Sequence, residues 1–364
     1  MRSNGTMRAR RRRRPVTALT GLAVAAGLVL AGAAAAPATA RTASTTASAT
    51  AVSTAQAPAA QAASVQTASV QAPPVRAGAV RATSAGAASG ASTATDPVGP
   101  PQGNFLSAFL YSVTQPTALP PGANDWSCKP GPAHPRPIVL AHGTFENRYA
   151  NWAALSPELK NAGYCVFALN YGGTKGPVLG TGDIAASAGQ LAAFVDRVRA
   201  ATGAAKVDIV GHSQGGMMPR YYIKNLGGAA KVGRLVALVP SNHGTSLIGL
   251  GLLARLVPGA DVVVGAACPS CEQQIVGSRF LKELNAGGET DPAVDYTVIS
   301  TWYDEVVTPY TSAFLPSARN VTNETLQSHC LLNITAHINI TYDRTATRLV
   351  LNALDPAHAQ RPTC

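Results

Sequence analysis

The run Val207-Asp208-Ile209-Val210-Gly211-His212-Ser213-Gln214-Gly215-Gly216 places a hydroxyl where a short apolar strand would turn sharply into a helix. Gly-x-Ser-x-Gly at such a turn has a physical basis. The serine sits in a strained bend, and Gly211 and Gly215 leave out side chains that would strike the crossing strand and helix. The bend exposes the Ser213 hydroxyl at a helix N-terminus, whose dipole favours developing negative charge. A hydroxyl has too high a pKa to attack well unaided. The chemistry therefore needs a base, an acid that orients it, and amide hydrogens around the oxyanion. That combination is acyl transfer. An ordinary glycine-rich turn would leave the strained serine unexplained, and a phosphate loop would need a following Gly-Lys-Ser/Thr.

Four histidines follow Ser213: His243, His329, His337 and His358. With this kind of turn the chain order is serine, then Asp or Glu, then histidine. His243, in Pro240-Ser241-Asn242-His243-Gly244-Thr245, comes too early and reads as wall or structural. His358 falls in a Pro- and Gln-bearing tail and reads as a surface residue. His337 ends the apolar run 331–336, ahead of an expected helix over 345–354, and is assigned the base; His329, beside Cys330, is the second candidate. Asp304 stands just past the β-rich run 296–300 and is assigned the acid. Glu305 is expected to face elsewhere, Asp291 and Asp295 precede the strand, and Asp208 reads as a structural acceptor. For the oxyanion, one donor is the backbone N–H of Gln214. The other is that of Thr144 in the loop His142-Gly143-Thr144, where Gly143 permits close approach. His142 is expected to order that loop by hydrogen bonding.

These positions need a scaffold. Runs 137–141, 164–169, 206–210, 235–239 and 296–300 read as strands, and 151–162, 183–201 and 215–226 as helices. The alternation predicts the α/β class, a mostly parallel central sheet with helices on both faces. Such sheets gather their reactive residues at the carboxyl ends of the strands. Between 246 and 267, Leu247, Ile248, Leu250, Leu252, Leu253 and Leu256 recur. They read either as ordinary core or as an apolar wall or partial lid for an acyl chain. In the second case polar substitutions at Leu252 or Leu253 would reduce turnover of long-chain esters more than of short ones.

The 364 residues carry a formal charge of +11, but seven arginines crowd the first fourteen positions and the chain from 101 onward is nearly neutral. Such a domain has no electrostatic footprint for nucleic acid. The basic run ends at Pro15 and leads into apolar residues 19–36 and Ala38-Thr39-Ala40, so residues 1–40 read as an export signal cleaved after Ala40. A membrane anchor is the alternative. Residues 41–98, mostly Ala, Ser, Thr, Val, Gln, Pro and Gly without an aromatic, read as a disordered spacer, and 99–364 as one catalytic domain. Six cysteines in an exported chain favour three disulfides: Cys128 with Cys165, Cys268 with Cys271, and Cys330 with Cys364. No cofactor is expected and the catalytic residues imply no metal; the carboxylates lack the alternate spacing of a calcium loop, which leaves open only a single structural calcium from carbonyls and scattered carboxylates.

Four separated motifs now agree in order: Ala141-His142-Gly143-Thr144, Val210-Gly211-His212-Ser213-Gln214-Gly215-Gly216-Met217, the Pro240 to Thr245 segment, and Tyr303-Asp304-Glu305-Val306-Val307-Thr308-Pro309-Tyr310. Together they resemble the secreted actinobacterial triacylglycerol lipases of the α/β-hydrolase superfamily, relatives of the small bacterial class 2 lipases. The resemblance implies Ser213, Asp304 and His337 as triad and Thr144 and Gln214 as oxyanion donors. It further implies hydrolysis of carboxylic esters, often of glycerides, without a nucleotide cofactor. The expected partners are a lipid or other ester and a lipid–water interface touched transiently, with the protein a monomer. The long spacer departs from the compact form of that family and leaves open whether the protein is free outside the cell or held at its wall. A short-chain carboxylesterase, polyesterase, phospholipase or acyltransferase on the same triad stays open, as does a non-catalytic cell-surface binding module.

Overall fold

The computed structural model describes residues 96–173, 176–260 and 268–364. The expected export signal and the spacer up to residue 95 lie outside the described residues, as does 261–267 of the apolar stretch.

Six short strands pair into one all-parallel sheet: β1 (Ile138–Ala141), β2 (Val166–Leu169), β3 (Val207–His212), β4 (Val232–Leu238), β5 (Asp295–Ser300) and β6 (Val321–Thr325). Their spatial order is β2-β1-β3-β4-β5-β6. β1, β2 and β3 are buried at every residue, as strands covered on both faces must be. Ten helices accompany them among the described residues: α1 (Phe105–Thr114), α2 (Arg148–Trp152), α3 (Leu155–Asn161), α4 (Ile184–Thr202), α5 (Gln214–Asn225), α6 (Leu247–Leu256), α7 (Pro269–Gln273), α8 (Arg279–Asn285), α9 (Leu326–His329) and α10 (Arg344–Leu354).

Strand side chains alternate between two cores. Val139 and Ala141 join Phe105, Leu191, Val195, Met217 and Tyr222 from α1, α4 and α5. Ile138 and Leu140 join Leu155, Leu159, Leu349 and Val350 from α3 and α10. The expected α/β architecture is therefore the observed one, with helices on each face.

Two local expectations fail. The single helix expected over 151–162 is broken into α2 and α3. Pro157 is the cause: it has no amide to give the carbonyl of Ala153, and its ring crowds that carbonyl, so the chain turns before α3 begins. The second failure is β6, which the sequence did not suggest. It is an edge strand reading VTNET, half-buried and paired, among the described residues, with β5 alone. The run 331–336 ahead of His337 is loop, and Leu331, Leu332 and Ile334 are exposed. All three disulfides have the expected pairing.

Candidate active site

β3 delivers Ser213 to the carboxyl edge of the sheet. The residue has φ 54° and ψ −122°, a left-handed backbone that a serine adopts only under constraint. The constraint is close approach. A Cβ on Gly211 would lie 1.9 Å from the Gly215 carbonyl oxygen, and one on Gly215 would lie 2.2 Å from that of Ala141. Both glycines are thus dictated by the bend. Ser213 is the N-cap of α5, yet its hydroxyl makes no capping hydrogen bond and is not spent on structure.

His337 lies in the loop between α9 and α10, and its ring is fully buried. Its Nδ1–H donates to Asp304 Oδ1 at 2.9 Å, which leaves Nε2 as the nitrogen free to take a proton. Asp304 Oδ1 also accepts the amides of Val306 at 3.0 Å and Val307 at 2.8 Å, so the carboxyl group is held in place and aimed. Burial alone would pull the His337 pKa down. The charge and hydrogen bond of Asp304, with Glu305 and Glu146 behind it, hold it above the ordinary histidine value instead. Among the described residues Nε2 has no hydrogen-bond partner, so Ser213 and His337 are not bonded to one another in this conformation. Nucleophile–base contacts of this kind often tighten only with substrate present.

Glu305 corrects an expectation. It does not face away: its Oε2 accepts the backbone N–H of His337 at 3.1 Å.

Thr144 and Gln214 are brought together from different loops. Thr144 Oγ1 donates to Gln214 Oε1, and Gln274 Nε2 donates to both of those oxygens, each at 2.9 Å. Ser241 Oγ closes the cluster on Gln274 Oε1 at 2.9 Å. Gln214 opens α5, so its amide has no carbonyl one turn back. The Gly143 amide is occupied by Glu146 Oε2 at 2.9 Å and Asn151 Oδ1 at 3.2 Å, which makes Thr144 the next amide along the loop.

The remaining histidines have other work. His142 Nδ1–H donates to the Gly143 carbonyl at 2.8 Å, and the ring stacks on Tyr171 at 4.3 Å. Burial drives its pKa down to about 4, so it is neutral and orders the loop. His243 donates to the Ser312 carbonyl at 2.9 Å and lies 3.0 Å from Glu289. His329 pairs with Glu324 and His358 with Asp355. Asp208 pairs with Arg136 at 2.7 Å, a structural contact as expected.

The segment leading into α6 is tied to the Asp304 loop. Thr245 Oγ1, just before the helix, donates to the carbonyl of Val306, two residues past Asp304. Leu250 and Leu253 face inward, whereas Leu247 and Ile248 are 71% and 76% exposed. Between α6 and α7 lies a cavity of about 280 Å³ lined by Leu247, Leu250, Gly251, Ala254, Cys268, Cys271, Glu272 and Ile275. Leu253 is a core residue, so a polar substitution there tests folding before it tests substrate. Among the described residues no helix is long and apolar enough to cross a membrane, and no three His, Cys, Asp or Glu side chains are grouped to hold a metal ion.

Residues 135–348 match the family model described as Lipase (class 2). The chain belongs to the class 2 lipase family. Over 93 residues it is 39% identical to a triacylglycerol lipase of Pseudarthrobacter phenanthrenivorans, covering 23% of this chain and 27% of that protein. A triacylglycerol lipase of Burkholderia plantarii is likewise 39% identical over 93 residues, covering 23% and 24%. The match thus spans about a quarter of the length of these curated relatives. The crystal structure of Aspergillus fumigatus lipase B aligns over 67% of this chain and 57% of its own, with a TM-score of 0.53 and 23% identity, and supports the fold.

Four polar residues of this class 2 lipase were not foreseen around the site: Glu146, Asn151, His212 as a structural partner, and Gln274. All four are buried. Two carried a readable signal. His212 stands inside the motif itself, and Glu146 follows the His-Gly-Thr loop by two residues. Gln274 is about 60 residues from the motif in sequence, so only the fold could bring it there.

Proposed function

We propose that this protein is an exported carboxylic ester hydrolase that acts on lipid esters, of the triacylglycerol type, through Ser213, His337 and Asp304. The observation that carries the reading is a serine at left-handed φ on the β3–α5 turn together with a buried imidazole aimed by a carboxylate on the neighbouring loop. Family membership supports the same conclusion.

In the proposed cycle Ser213 Oγ attacks the ester carbonyl carbon while His337 Nε2 takes its proton. Asp304 stabilises the imidazolium so formed, and the amides of Thr144 and Gln214 receive the oxyanion. The tetrahedral species collapses as His337 returns the proton to the departing alcohol, leaving Ser213 acylated. Water, deprotonated by the same nitrogen, then releases the acid.

The exposed Leu247 and Ile248 of α6 suit a transient contact with a lipid–water interface. Three disulfides support an oxidising compartment and hence export.

An organophosphonate esterase probe tests the assignment. It should label the wild type and fail to label Ser213→Ala, and the wild type should release fatty acid from a triglyceride emulsion. A correctly folded wild type that the probe does not label would overturn the reading.

A further inference from the structure

A second carboxylate–imidazole pair lies behind the first. Glu146 and His212 are both fully buried, and His212 Nδ1 lies 3.0 Å from Glu146 Oε2. The far side of the His212 ring reaches the base: Nε2 lies 3.1 Å from the backbone carbonyl of His337. A carbonyl can only accept, so that nitrogen carries a hydrogen and donates it. The same Glu146 oxygen accepts the amide of Gly143, the residue before the oxyanion donor Thr144. Asn151 completes the group, its Oδ1 on the Gly143 amide and its Nδ2 3.1 Å from His212 Nδ1.

One buried carboxylate therefore touches the oxyanion loop directly and the base-bearing loop through a single ring. It is a costly arrangement to keep. Glu146 Oε1 has no hydrogen-bond partner among the described residues, and a buried carboxylate with an unpaired oxygen opposes folding. A group retained at such a cost, adjoining the base and an oxyanion donor and taking no part in the proton transfers, calls for a role in geometry.

We propose that Glu146 and His212 are positioning residues that hold the main chain of His337 and the Thr144 loop in fixed register with Ser213, so that turnover rather than substrate binding depends on them. The proposal rests on the triad reading. It follows from where the two groups act: misplacing a base by about 1 Å costs on the order of 100-fold in rate, while ground-state binding on an apolar wall is left alone.

The test compares the purified full chain as wild type, His212→Met, His212→Gln, Glu146→Gln and His337→Ala on a soluble nitrophenyl ester, with thermal unfolding of each. His212→Met, of similar length but without a donor, should lose about 100-fold in kcat with KM changed less than about twofold. His212→Gln keeps an N–H able to reach the His337 carbonyl and should recover most of the loss. A kcat for His212→Met near that of wild type, or a loss that His212→Gln does not recover at equal Tm, would overturn the proposal. Should His212→Met fail to fold, Glu146→Gln decides: a fall in kcat at unchanged KM supports the proposal, and a wild-type kcat overturns it. His337→Ala separates the two ideas. If it stays active, the base assignment fails. If it is inactive while His212→Met is unimpaired, only the positioning role fails.

Discussion

His337 has carboxylates on several sides, and their balance sets the pH at which it can act as a base. Burial disfavours the imidazolium, while Asp304 on the ring, Glu305 at the backbone N–H and the more distant Glu146 favour it; the net pKa is raised. A general base must be unprotonated, so a raised pKa moves the acid limb of kcat/KM to higher pH than an ordinary histidine would give. Glu305→Gln keeps an oxygen for the His337 amide and removes one negative charge. With less stabilisation of the imidazolium the pKa falls, and the acid limb should shift to lower pH while the plateau rate changes little. A pH–rate profile of the variant against wild type checks this, and a limb that does not move would contradict the carboxylate contribution. At this scale much was legible beforehand. The pairing of His337 with Asp304 is readable because attack by a hydroxyl, proposed for Ser213, demands those residue types in that chain order. Glu305 was misjudged because adjacent side chains were assumed to diverge. In a tight loop the neighbour can turn back onto the main chain.

The elements divide according to how much of their burial is local. β1, β2 and β3 show as unbroken apolar runs because both of their faces are covered, and the long α4 shows because one side is continuously apolar. β6 does not, since an edge strand with one neighbour can be built from VTNET without a hydrophobic signal. The break between α2 and α3 was hidden because Trp152, Leu155 and Leu159 keep helical spacing across it, while Pro157 forbids the hydrogen bond that continuity needs. In α6 the leucine run carried two readings, and the helix divides them between its faces. Leu253, 2% exposed, serves the core; Leu247 and Ile248 serve the surface. The division makes a paired prediction. Leu253→Ala should cost about 3 kcal/mol of stability with no preference among substrates. Leu247→Ser with Ile248→Ser should leave the unfolding midpoint nearly unchanged and lower turnover of long-chain esters more than of short ones. A chain-length series of nitrophenyl esters read beside denaturation curves checks both. Equal losses on long and short esters would remove α6 from substrate recognition.

Across the domain, the groups of the candidate site reach the same edge from five connections: Thr144 after β1, Ser213 and Gln214 after β3, Ser241 and Gln274 after β4, Asp304 after β5 and His337 after β6. A parallel sheet gathers them there because all its strands end on one side. Holding them takes long-range ties, and two disulfides supply some of these, closing separations of 37 and 34 residues. The Cys330–Cys364 bond begins only seven positions before His337, which raises the question of whether it supports the fold or the base. The contacts of His337 answer it. Its ring is fixed by Asp304, its amide by Glu305 and its carbonyl by His212, and none of the three passes through Cys330. Replacing both cysteines by alanine should therefore lower stability by roughly 3 to 4 kcal/mol, the chain-entropy value for a loop of that length. The kcat at 25 °C, where the domain stays folded, should change by less than about twofold, because the groups that fix the base geometry remain in place. Urea unfolding and initial rates on the same preparation test the separation. A large fall in kcat under conditions where the variant is demonstrably folded would mean that the base depends on the tether, and that the three contacts at His337 do not suffice to hold it.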